Sequence, residues 1–167
     1  MTLISRTPVL WTLFVLTILC IPAFQYFAPM AGGQLLDMLS EPEEVRAVLA
    51  AMTPEQRSVH FRVTVLLDTL FPISFGLLFA GMGWRFFGKW GPVAALPGFA
   101  VLVVDLTENT IQALALSGTA DALDAKAWVT PLKYGLFWFA ALIALIAAGI
   151  ALYRLISKKR ASAPSAG

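Results

Sequence analysis

Four ionisable side chains stand inside or at the edge of otherwise apolar runs of this sequence: Asp68, Asp105, Glu108 and Lys133. A charged side chain at the centre of a spanning helix costs about 2.5–3.5 kcal/mol on insertion scales, so such groups persist only where they face one another, a cavity or water. Their spacing aligns them. Asp105, Glu108, Asn109 and Gln112 are offset by three, four and seven positions, which on a helix is one stripe. His60, Thr64 and Asp68 are offset by four and eight, again one face, and Thr130, Lys133 and Tyr134 make a third polar patch. Three polar stripes turned to a common centre predict a hydrophilic pocket open toward the outside. Asp68, Asp105, Glu108, Asn109, Gln112, Lys133 and His60 are its ligand-binding candidates.

The chemistry of that set is acid–base or cation chemistry. Three carboxylates against one lysine leave two excess negative charges if all ionise. In a low-dielectric place this requires water, a bound cation or a proton, so at least one carboxyl is expected to stay protonated near neutral pH. Asp105 and Glu108 are helix neighbours and should titrate as a coupled pair. Pro72 has no N–H for the carbonyl four residues earlier, that of Asp68, which predicts a bend and a free carbonyl at the polar layer. A hard-cation site fits Asp68, Asp105, Glu108 and Asn109 in ligand type, but no loop signature supports it. The expectation is therefore no metal and no cofactor. The sequence holds no phosphate-cradling loop, nucleophile elbow, haem pair or zinc motif. His60, near a membrane face, reads first as a satisfied interfacial histidine, and Cys20 as a small hydrophobe.

These residues need membrane-spanning helices to position them. The chain has 167 residues, 59% hydrophobic and 13% charged, with a formal net charge of +2, and its mean hydropathy is +0.78. That excludes a disordered chain, an ordinary soluble domain and a nucleic-acid reader. Four apolar runs, each about the 20 residues a bilayer requires, predict an all-α polytopic protein. Spans fall at about 8–28, 60–84, 92–116 and 130–154, in a single four-helix transmembrane domain over 1–160 with a disordered tail at 161–167. The first run is longer than the ~7–15 residues of a signal-peptide core, which favours an uncleaved first helix.

Residues 32–60 are patterned. Ser40-Glu41-Pro42-Glu43 reads as a helix start, after which Val45, Val48, Leu49 and Met52 share a face. Thr53-Pro54-Glu55-Gln56 repeats the start signal. A short amphipathic helix between helices 1 and 2 follows, lying on the outer surface or capping the bundle, then a long second helix. Arg6, Arg85, Lys89, Arg154, Lys158, Lys159 and Arg160 fall on one side with no acid among them, which by the positive-inside rule makes both termini cytoplasmic. The four buried charges then lie in the outer half of the bilayer.

At Asp68-Thr69-Leu70-Phe71-Pro72 and Asp105-Leu106-Thr107-Glu108-Asn109 the chain resembles a group of uncharacterised bacterial four-helix membrane proteins that share Asp-x-x-Phe-Pro and Asp-x-x-Glu-Asn. The resemblance covers most of the chain. It implies the same bundle, a place in the bacterial inner membrane, and the choice of Asp68, Asp105, Glu108 and Asn109, with no activity attached. A looser likeness to sterol-isomerase and sigma-2-type membrane proteins, which keep acids in an intramembrane pocket, is one of fold alone.

Three functions stay open. The first is binding of a small polar or lipid-like ligand, or a proton, in the polar pocket; transport on four helices would require a homo-oligomer. The second is a structural or scaffold protein locked by a buried ion-pair network. The third is an intramembrane acid–base enzyme on a lipid-like substrate, with Asp105 or Glu108 as acid or base and Lys133 stabilising a developing negative charge. The expected partners are membrane lipid and the ligand, and no nucleic acid. A ligand site predicts an open cavity, an enzyme an added apolar tunnel, and a structural role a dry cluster with every acid paired.

Overall fold

The computed structural model describes residues 2–161, with side chains through Lys158, and among them there is no strand. The tail expected at 161–167 lies outside the described residues beyond Ala161. Six helices follow in order: α1 (Thr7–Phe27), α2 (Pro42–Ala51), α3 (Pro54–Arg62), α4 (Asp68–Phe86), α5 (Gly91–Ser117) and α6 (Lys126–Ala161). A single wide turn at Val63–Leu67 joins α3 to α4, so the two form one rod. Four stretches are long and apolar enough to cross a membrane: Thr7–Ala31, Pro54–Phe86, Gly88–Ser117 and Leu123–Lys158. Each expected span lies inside one of these. The helices overrun the spans because their end turns carry polar and capping residues that hydropathy alone discards. Trp11, Leu19, Trp138 and Leu145 are exposed apolar side chains on the outside of the bundle, as a lipid-facing surface requires.

The bundle closes around α4. Phe75 is buried among Phe71, Phe79, Val101, Phe137 and Ala140, with its ring edge-on to Phe71 and Phe137 at centroid separations of 5.0 and 5.2 Å. Lipid tails are as apolar as leucine, so helix association here depends on close packing. Glycines permit it between α4 and α5. A Cβ on Gly98 would stand 2.5 Å from the Ala80 backbone nitrogen and 2.8 Å from the Gly76 carbonyl. Arg85 donates to the Ser5 carbonyl and the Thr7 hydroxyl, and Arg154 to the Phe86 carbonyl. These contacts gather the start of α1, the end of α4 and the late turns of α6 at one end of the bundle.

The other end is capped by α2. Its face carrying Val45 and Leu49 packs on Leu36, Leu39, Ile111, Ala115, Leu116 and Leu123, with Val48 and Met52 at the edge. Its start differs from the expectation: Glu41 occupies the N-cap and no side chain caps the helix, so Ser40 and Glu43 form no capping box. Pro42 at the first helical position sets the start instead. Thr53 and Gln56 do form one, the Thr53 hydroxyl accepting from the Gln56 backbone N–H and the Gln56 side-chain Oε1 from the Thr53 backbone N–H. Arg46 fastens α2 to the loop before α6 through Asp121 and Asp124 while also pairing with Glu43. Hydrogen bonding to Asp121 holds the guanidinium above its ordinary range, and the same bond holds the Asp121 carboxyl below its own. This anchor is therefore intact at neutral pH and lost only as acid protonates Asp121.

Gly98→Ala places a methyl where the α4 backbone already stands. It should destabilise the protein by about 1–3 kcal/mol, read as a lower melting temperature in mild detergent. A variant as stable as the parent would remove the close-approach account.

Candidate functional site

The polar centre begins with a backbone defect. Pro72 leaves the Asp68 carbonyl without its helical donor. One turn earlier the helix widens, and the Asp68 N–H bonds to the Val63 carbonyl five residues back. The carbonyl is not free, as Pro72 alone predicts: the Asn109 side-chain amide of α5 donates to it. Asn109 thus supplies from a neighbouring helix the bond that proline removes, which couples the two sequence motifs physically.

Glu108 lies at the middle of the centre with no exposed side-chain surface. Its Oε1 takes the Lys126 ammonium and the Thr130 hydroxyl, and its Oε2 faces the Lys133 ammonium. Lys133 also donates to Asp37. Lys126 is fully buried and Lys133 nearly so. Two of these residues, Lys126 and Asp37, were absent from the sequence expectation, which put both in outer loops. Lys126 carried a usable signal: with Thr130 and Lys133 it is offset by four and seven positions, one face of a helix. Asp37 carried none, because a short turn at Leu36–Met38 and the packing of Leu36 deliver it.

Beside this lock stands a second group. One carboxylate oxygen from each of Asp37, Asp68 and Asp105 lies within 4.8 Å of the others. Asp68 and Asp105 are each 5% exposed, whereas the Asp37 side chain is 26% exposed and forms the solvent-facing edge. Among the described residues no ammonium or guanidinium pairs with Asp68 or Asp105. With Asp37 and Lys126 added, the centre holds four carboxylates and two lysines, so the excess of two negative charges survives the change of membership. It is concentrated where Asp68 meets Asp105.

Two further expectations are corrected. His60 does not join the centre. Its Nδ1 donates to the Ala31 carbonyl at 2.9 Å and its Nε2 accepts from the Leu36 N–H at 3.3 Å. These partners fix a neutral ring that ties α3 to the 31–36 connector. His60, Thr64 and Asp68 are all buried across the wide turn at Val63–Leu67, but the partners of His60 lie on the connector and not among the carboxylates. Second, the pocket is closed except at Asp37. Glu108, Gln112 and Lys126 have no exposed surface, because α2 and the Leu36 turn cover that end. Gln112 shares the stripe as expected, and among the described residues neither end of its amide has a partner, nor does the Asn109 side-chain oxygen. Buried polar groups of this kind call for ordered water or a bound polar species. A groove of about 600 Å³ between α3 and α5 reaches the margin of the centre at Thr64 and Asn109 and is otherwise mainly apolar, lined by Phe61, Val65, Leu106 and Leu114. The carboxylates do not line it.

Breaking the lock from either side leaves a buried charge unpaired. Glu108→Gln and Lys126→Met should each cost about 3–5 kcal/mol, measured by unfolding in mild detergent; losses under 1 kcal/mol would show the pair to be dispensable. Asn109→Leu should cost about 1–3 kcal/mol by orphaning the Asp68 carbonyl, and the same measurement in a Pro72→Ala background should recover most of that loss. Comparison with known proteins places the chain beside none: no family model, no curated protein and no solved structure matches it.

Proposed function

We propose that this is a multi-pass membrane protein of binding or transport-accessory type, whose Asp37–Asp68–Asp105 cluster takes up a small positively charged species, in the simplest case a proton. One observation carries the reading: three carboxylate oxygens lie within 4.8 Å of one another, and only Asp37 has a lysine partner among the described residues. Like charges so placed in a medium of low dielectric demand a compensating positive charge. The neighbouring Glu108, by contrast, is matched by two lysines, which supports a structural role for that half of the centre. The scaffold reading thus accounts for Glu108, Lys126 and Lys133 and leaves Asp68 and Asp105 unexplained. The acid–base enzyme has less support, since the groove that reaches Thr64 and Asn109 offers no carboxylate to a substrate.

The basic end of the bundle, which carries both chain ends, is assigned to the cytoplasm by the positive-inside rule. Asp37 then opens the cluster to the outer face of a bacterial inner membrane.

The test compares the parent with Asp105→Asn, which removes one negative charge while keeping shape. At pH 8.5 in mild detergent the variant should melt higher than the parent. Its advantage should shrink at pH 6 if the species is a proton. At constant pH it should shrink on adding a metal cation if the species is a metal. A variant less stable than the parent at every pH would mean that Asp105 serves structure, and the reading would fail.

A further inference from the structure

The end of the bundle opposite the carboxylates carries a different site. α1 and α6 both pack against α4 but barely meet each other. The space between them is a groove of about 870 Å³, floored by Leu78 and Phe79 of α4 and walled by Leu10 and Phe14 of α1 and by Ala148 and Leu155 of α6. Small side chains at Ala144, Ala148 and Ala151 deepen the α6 wall. From Ala144 to Leu155 the groove follows α6 for about 16 Å at 1.5 Å per residue, close to half of the roughly 30 Å hydrocarbon core of a bilayer. It therefore has the depth of one leaflet.

Its mouth is cationic. Arg85 lines the groove, and its guanidinium lies 5.3 Å from the centre of the Phe86 ring. Arg154 of α6 reaches the carbonyl of the same Phe86. The basic end contains Arg6, Arg85, Lys89 and Arg154, and no acid occurs in residues 1–36, 69–104 or 125–167. One guanidinium, that of Arg85, thus lines the apolar groove, a second, that of Arg154, reaches its rim at Phe86, and no acidic side chain occurs at that end to neutralise them.

We propose that this groove is a specific site for one anionic phospholipid of the leaflet at that end. The acyl chain lies along Leu10, Phe79 and Ala148, and the phosphate meets Arg85 and Arg154. Guanidinium is suited to this contact because its fork of donors matches phosphate oxygens. The proposal is independent of the carboxylate cluster.

The experiment is native mass spectrometry of the full chain, released from mild detergent after equilibration with phosphatidylglycerol or with phosphatidylcholine of the same acyl chains. The parent should retain phosphatidylglycerol in a one-to-one complex about fivefold more than phosphatidylcholine, the weight of one basic side chain near a membrane surface. Arg154→Gln, which gives up only one long hydrogen bond, should lower that preference, and Arg85→Gln should lower it further. Ala148→Trp fills the groove without touching a charge and should reduce retention of both lipids. Lys158→Gln combined with Lys159→Gln should keep the preference, since both positions follow Leu155, the last groove residue, in the sequence. Equal retention of the two lipids by the parent would overturn the proposal. So would unchanged retention in Ala148→Trp, or a preference that disappears with Lys158 and Lys159 and survives loss of Arg85 and Arg154.

Discussion

A carboxylate with no exposed surface, held between two lysines in the apolar interior of four helices, is the constraint on which the rest of this structure depends. Glu108 of α5 is held by Lys126 and Lys133, two turns apart on α6, and by the Thr130 hydroxyl from the turn between them. Removing any partner would leave a buried charge, so the pairing sets the register between α5 and α6 more firmly than apolar packing could. Lys133 then extends the network to Asp37 in the connector after α1, which draws the Leu36 turn down onto the bundle. The cap formed by α2 completes the exclusion of bulk water from Glu108. A polar network and an apolar lid support each other here: the lid lowers the local dielectric, and the low dielectric strengthens the ion pairs beneath it.

The same low dielectric makes the adjacent carboxylates costly. Asp68 and Asp105 lie within reach of Asp37, but among the described residues neither forms an ion pair with a lysine. One half of the centre is matched in charge and stable as it stands; the other half is not. The backbone at that half is also irregular, with a wide turn before Asp68 and a proline four residues after it, repaired by Asn109 from α5. Irregular backbone and unmatched charge together mark the place where the structure departs from what stability alone would select. The opposite end shows the complementary pattern, with arginines and lysines in excess around an apolar groove. The molecule is thus polarised along its axis, acidic in its interior toward one face and basic at the other.

Helical periodicity made much of this legible from the sequence. The stripe Asp105, Glu108, Asn109 and Gln112 is a single face of α5, and all four residues are buried. The four apolar runs became the four long helices, and Thr53 with Gln56 made the capping box their spacing announces. Each of these rests on interactions within a few residues along one helix, where spacing is geometry. Lys126 was legible in the same way but was masked by the polar residues Asp121 and Asp124 before it. The stripe from His60 to Asp68 is buried throughout, but His60 takes the Ala31 carbonyl and the Leu36 N–H as partners instead of the carboxylates, a choice that periodicity does not contain.

The amino-acid sequence by itself therefore determined the number of helices, their apolar surfaces and the presence of more buried acid than base, because these follow from composition and local period. Only the tertiary structure decided which acid meets which base. Asp37 pairs with Lys133 across 96 positions, and Asn109 reaches the Asp68 carbonyl across 41. No local rule couples residues so far apart. Their meeting is set by how α4, α5 and α6 pack at Gly98 and Phe75 and by the turn that places Leu36 over the bundle. The excess charge was a sum that the sequence already contained. Its position between Asp68 and Asp105 was a distance, and distances between helices belong to the packed chain.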